Sequence, residues 1–270
     1  MKSLRLFWWA VPLAPAFAGE PAPADKTGDS LFHPTPRAAL RELSTDRPDV
    51  TESPFTVDAG HAQLELDLVN WTRDRRTPDH SGGSESWGFG HANLKFGLTS
   101  GMDLQIVAPL FTRERGGAEG FGDLTLRLKM NLWGNDGGRT ALALMPFMKL
   151  PTAAPGLGND RAEGGLILPF SADLPHGWGF GAMLELDWLA DDDGGGYHGD
   201  VVTSCTLAGA LGGYLEFVSV VSEETAWVAT FDCGLTYALT DDIQIDAGLN
   251  FGLTEAAEDL HPFLGLSLRF

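Results

Sequence analysis

The sequence predicts an all-β fold: a transmembrane antiparallel up-and-down β-barrel of about 12 strands, with a cleaved signal peptide and a short N-terminal periplasmic or plug segment. Three observations predict it. The chain opens with an export signal, its body alternates apolar and polar residues over long stretches, and its connectors alternate between long and short.

The signal occupies residues 1–18. Lys2 and Arg5 give a positive start, Leu6 to Pro15 is an apolar run, and Ala16-Phe17-Ala18 is a small-x-small site, so cleavage is expected after Ala18. A retained helical anchor is the alternative, but about ten apolar residues do not cross a hydrocarbon layer of roughly 30 Å. Residues 19–56 form the next unit. A Pro/Ala-rich leader gives way to PRAALREL (Pro36 to Leu43), which predicts two helical turns, and then to the turn-forming STDRPDVTESP (Ser44 to Pro54).

The barrel is expected over 57–270. Leu124, Leu126, Leu128, Met130 and Leu132 alternate with Thr125, Arg127, Lys129 and Asn131, and Ile243, Ile245, Ala247, Leu249 and Phe251 alternate with Gln244, Asp246, Gly248 and Asn250. A soluble barrel would hide the apolar rows, whereas a membrane barrel turns them to lipid and lines its lumen with polar groups. Connector lengths decide between the two. The strands read at 58–72, 86–99, 102–112, 122–133, 140–151, 164–174, 178–190, 199–209, 212–222, 226–239, 242–253 and 262–270 are joined by short turns at one end and mostly by longer loops at the other. Short periplasmic turns and long outer loops produce that segregation; a soluble sandwich has no cause for it. Aromatic residues near strand ends, among them Trp71, Trp87, Trp133, Trp178, Trp188 and Tyr237, fit girdles at the two membrane interfaces. The final strand carries Leu264, Leu266, Leu268 and Phe270 on one face, which suits recognition by barrel-assembly machinery through a terminal aromatic residue.

Composition narrows the functional classes. The chain has 18 basic and 37 acidic residues, a net charge of −19, and without Lys2 and Arg5 the mature protein would carry −21. Nucleic acid is not expected as a partner, because phosphate binding needs a basic face. Outer-membrane lipid and lipopolysaccharide, with divalent cations bridging carboxylates to phosphates, suit such a surface. The two cysteines, Cys205 and Cys233, lie on strands separated by another strand and are expected to be unpaired and buried. No G-x-S-x-G elbow, H-E-x-x-H pair or glycine-rich phosphate loop is present, so no enzyme is expected. No cofactor is expected either. Asp191, Asp192 and Asp193, and separately Glu255, Glu258 and Asp259, lack the alternating spacing of a calcium loop and read as solvated acidic loops.

Several stretches resemble the outer-membrane family of meta-pathway phenol-degradation proteins, often called transporters. They are STDRPDVTESP leading into Ala59 to Leu66, GFGDLTLRLK (Gly120 to Lys129), KLPT (Lys149 to Thr152), GWGFGAMLELD (Gly177 to Asp187) and the run from Leu235 to Phe270. The resemblance spans nearly the whole mature chain and implies an outer-membrane barrel passing small molecules, aromatic ones among them. It brings no established binding residues with it.

The functional candidates are therefore the polar inward faces. Glu65, Asp67, Asp103, Glu185, Asp187, Glu216, Asp232 and Asp246, with Lys95, Arg127, Lys129, Lys149 and Arg269, are expected to line the lumen. They either pair across it and rigidify it or leave a charged path that selects solutes. The segment Thr45 to Pro54 either enters the periplasmic mouth as a partial plug, with Asp46, Arg47 and Asp49 bonding to lumen charges, or caps the barrel from outside. A passive small-molecule channel is the leading functional expectation, and a non-conducting structural or adhesive barrel is its alternative. Strongly polar faces argue against an apolar route.

Overall fold

The computed structural model describes residues 25–75, 83–158, 160–188, 195–222 and 226–270. Twelve long strands form one sheet: β1 (Ala62–Asp74), β2 (Ser84–Thr99), β3 (Met102–Glu114), β4 (Leu124–Trp133), β5 (Thr140–Leu150), β6 (Glu163–Asp173), β7 (Trp178–Trp188), β8 (Gly195–Ala208), β9 (Leu211–Ser222), β10 (Val228–Thr240), β11 (Ile243–Gly252) and β12 (Leu260–Arg269). Each pairs antiparallel with its sequence neighbour, and β12 returns to β1 with Gln63 opposite Arg269 and Leu64 opposite Leu268. The sheet is closed. Closure removes the edges whose unpaired N–H and C=O groups lipid cannot satisfy. A two-residue pairing of Glu119 and Gly120 with β3 supplements it in the β3–β4 loop.

Alternation sorts the side chains as expected. On β4, Lys129 is fully buried while Leu132 is 54% exposed. Leu215, Phe217, Leu235, Leu249, Leu264 and Trp188 are likewise exposed, as are the predicted girdle residues Trp87, Trp133, Trp178 and Tyr237. In water such an exterior would drive association. In hydrocarbon it is the stable arrangement.

Three local expectations change. Strand β8 begins at Gly195 rather than residue 199, because Tyr197 and His198 continue the alternation across a glycine run that hides it in the sequence. PRAALREL makes a single 3₁₀ turn, Arg37–Ala39. Tertiary contacts claim the rest of it: the Arg41 N–H donates to Asp58 at 2.9 Å, and the Arg41 carbonyl accepts from Arg269 at 2.6 Å. Cys205 and Cys233 are unpaired but not buried, being half-exposed on the outward face, where Cys205 faces Gly213 and Cys233 faces Leu215.

The signal segment, its cleavage site and the Asp191–Asp193 run lie outside the described residues. Asp259 is described and accepts a hydrogen bond from the Arg75 N–H at 2.8 Å. No helix among the described residues is long and apolar enough to cross a membrane.

Candidate functional site

The interior is organised around residues 44–58, which run among the inward-facing side chains. Gly97 makes one crossing possible, since a Cβ there would sit 2.0 Å from the Asp58 carbonyl oxygen.

Asp46 anchors the first contact. Its carboxylate accepts from Lys129 Nζ at 2.6 and 2.9 Å and from Lys95 Nζ, and it also takes the Ser53 N–H at 2.9 Å. The Asp46 N–H in turn donates to Glu65 at 3.1 Å, and Lys95 bridges to that same Glu65. Burial alone would raise the Asp46 pKa, but Lys129 and Lys95 hold the carboxyl well below the usual carboxylate range. Six residues on, Glu52 pairs with Arg127 and stands 4.0 Å from Lys129. Burial, with the Asp46 charge behind it, pushes the Glu52 carboxyl up to about 7. The basic wall of β2 and β4 is thus neutralised largely by acids that the segment brings in.

The opposite wall meets backbone instead. Glu216 on β9 accepts the Val50 N–H at 2.8 Å, the Thr51 N–H at 2.7 Å and the Thr51 hydroxyl at 2.6 Å. On the basic side itself, Asp103 on β3, opposite Lys129 in the ladder, accepts the Val57 N–H at 2.9 Å. A carboxylate receiving several N–H groups forms strong, charge-assisted bonds. Between the walls, Arg47 pairs with Asp67 on β1 and with Asp246 on β11 at 2.7 Å, its guanidinium carbon 5.4 Å from the Phe263 ring centroid.

The remaining candidates fall elsewhere. Asp232 faces Glu216 across the β9–β10 ladder and is fully buried. Glu185 and Asp187 share the inner face of β7, and His198 stands 3.7 Å from Glu185 and 3.1 Å from Asp200. Lys149 pairs with Glu163 at 2.5 Å at the end of β5 remote from residues 44–58. Arg269 holds Asp242 at 2.8 Å in the short β10–β11 turn, beside the mouth through which the segment enters. Among the described residues no wall cation pairs with Asp49 as others do with Asp46; burial, with the Glu216 charge beside it, pushes its carboxyl up.

Sequence reasoning missed part of the interior. Glu52 and Thr51 lie within STDRPDVTESP with nothing in the motif to mark them as wall contacts, and Gln63, Gln105 and Asp200 are almost completely buried. It also missed an apolar inner patch of Met145, Ile167 and Met183, with Phe147 packed against it. Strands β5 and β6 are apolar on both faces, so period-two alternation carries no signal there. The Met183 sulfur accepts the Glu52 N–H at 3.4 Å, which joins this patch to the segment. Below it, a cavity of about 710 Å³ opens between residues 42–55 and the wall of β6 to β11, where Gly179, Gly181, Ser204, Thr206, Gly212 and Thr236 leave room.

A family model described as "Putative MetA-pathway of phenol degradation" matches residues 45–270, from the first anchoring residues of the segment to the end of the closing strand. The chain belongs to this family. Its fold is similar to that of the COG4313 outer membrane channel from Pseudomonas putida F1, at 17% identity and a TM-score of 0.60, covering 84% of this chain and all of that one. It is also similar to the NanC porin, at 11% identity and a TM-score of 0.55, covering 76% of this chain and 98% of that one. These likenesses, at such low identity, establish the fold alone, a closed antiparallel barrel like those of the two outer-membrane proteins. No curated protein matches the chain.

Proposed function

We propose that the chain is an outer-membrane channel through which small molecules diffuse passively, with residues 44–54 as a plug that narrows the passage. One observation carries the reading: a closed barrel with an oily exterior encloses a charged interior and a cavity of about 710 Å³ between the plug and the glycine-rich wall. The path runs along β7 to β10, because the β2 and β4 wall is occupied by the Asp46 and Glu52 pairs.

The path offers two chemistries, an apolar patch at Met183 and carboxylates at Glu216 and Asp232. Small phenolic solutes match that mixture better than bulky sugars, and the inward-facing acids favour cations over anions. Export, cleavage after Ala18, contact with lipopolysaccharide and assembly through the strand ending at Phe270 belong to the same reading.

A second reading, a non-conducting structural barrel, is favoured by the density of bonds between plug and wall. Uptake into liposomes holding the purified protein separates the two, with a panel running from monosaccharides to phenolic acids. Faster entry of the smaller, phenolic members supports the channel; entry no faster than in protein-free vesicles supports the sealed barrel.

A further inference from the structure

The Arg47 guanidinium sits in a pocket made wholly by the barrel wall. Three strands contribute to it. Asp67 from β1 and Asp246 from β11 supply two carboxylates, and Phe263 from β12 supplies an aromatic face 5.4 Å from the guanidinium carbon. Gly265, opposite Asp246 in the ladder, supplies clearance: a Cβ at that position would lie 2.1 Å from Arg47 Nη2. The carboxylates are fixed in turn, since Asn70 donates to Asp67 at 3.1 Å and the Asp246 side chain is fully buried. Asp246 receives Nη2 at 2.7 Å and Nε at 3.4 Å, the forked geometry that matches a guanidinium to a carboxylate.

Two acids for one cation is more than the plug needs for neutrality. All of these wall groups belong to the barrel, and the guanidinium alone belongs to the plug. When the plug leaves, the wall therefore retains two carboxylates and a ring face, the combination that recognises guanidinium and ammonium groups in water-poor sites.

The geometry points to a cation-binding subsite on the inner wall, formed by Asp67, Asp246 and Phe263, which accepts a guanidinium- or ammonium-bearing solute and for which plug residue Arg47 is the resident competitor. The inference rests on the channel reading, because a solute reaches this depth only through the barrel. It adds a substrate class and a mechanism: a cationic solute that occupies the subsite takes the place of Arg47 and so loosens the plug. Competition by a tethered group is strong, since a short linker holds it at an effective concentration on the order of millimolar. External cations must match that level in the native protein but not in a variant lacking the arginine.

The test uses the full-length protein carrying Arg47→Ala, with methylguanidinium chloride as the probe and sodium chloride at equal ionic strength as the control. Binding is read by calorimetry on the detergent-solubilised barrel, and block or opening is read by single-channel recording. Expected is binding to Arg47→Ala at least tenfold tighter than to the native protein, loss of that binding when Asp246→Asn is added, and no response to sodium. If Arg47→Ala is poorly folded, Arg47→Gln replaces it. Equal, weak binding by native protein and variants, or binding that survives Asp246→Asn, overturns the subsite. Calorimetric binding with no conductance in any variant instead leaves the subsite standing and removes the channel.

Discussion

The Asp46→Ala substitution tests the plug most sharply among single changes. In the native protein this carboxylate holds Lys129 at 2.6 Å and Lys95, both almost completely buried. After truncation Lys95 keeps Glu65, whereas Lys129 is left with Glu52 at 4.0 Å. Removing one partner of a buried pair costs roughly 3–5 kcal/mol, and the surviving Glu65 contact places this case near the low end, at about 3 kcal/mol. Asp46 lies on the segment and both lysines lie on the wall, so the cost falls on docking. A change of about 3 kcal/mol shifts a two-state equilibrium by roughly a hundredfold. The assay is single-channel recording in planar bilayers at fixed salt, with the heat-modifiable gel shift as the check on folding. Long high-conductance openings should become frequent in the variant. A folded Asp46→Ala barrel with native opening statistics would refute the reasoning, because the ion pairs would then contribute nothing to holding the segment in place.

Three further outcomes follow from the same contacts. Thr51→Val removes the hydroxyl that donates to Glu216 at 2.6 Å while keeping the side-chain shape, and should weaken docking by about 1–2 kcal/mol, read as a smaller rise in open probability than Asp46→Ala gives. Glu52 has a value of about 7 in the docked state against 4.5 when free. The docked form therefore carries an extra proton; its stabilisation is full below about 4.5 and is lost as pH rises through about 7, so openings should be rarer at pH 5 than at pH 8, and Glu52→Gln should flatten that profile. Leu128→Arg, on the outward face at the middle of β4, should destabilise the inserted barrel by roughly 2–4 kcal/mol in a urea titration from vesicles, and an unchanged midpoint would argue against lipid at that face.

Much of the barrel was legible because a closed membrane sheet imposes one rule on every strand. Leu124 through Leu132 and Ile243 through Phe251 display that rule without interruption. It fails where both faces share a chemistry, as along Ala141 to Phe147 and Leu166 to Phe170, and the inner apolar patch is hidden there. The interior was legible as composition but not as pairing. Nothing in the sequence says that Asp46 would reach Lys129, 83 positions away, or that Arg47 would reach Asp246, 199 positions away. Such partners are chosen by the register of the closed sheet and by the path of residues 44–58 through it. The signals that did exist were local: STDRPDVTESP places charges between turn formers, which is a poor sequence for a strand and a good one for a chain that must bend among charged neighbours.

Deleting residues 44–54 tests the central claim most directly. The barrel strands remain, Lys95 keeps Glu65 and Lys129 turns to solvent entering the widened interior, so conductance of the refolded, heat-modifiable protein should rise severalfold and lose its gating transitions. A correctly folded deletion protein whose conductance equals that of the native chain would contradict the account, since the segment would then not stand in the path of the solute.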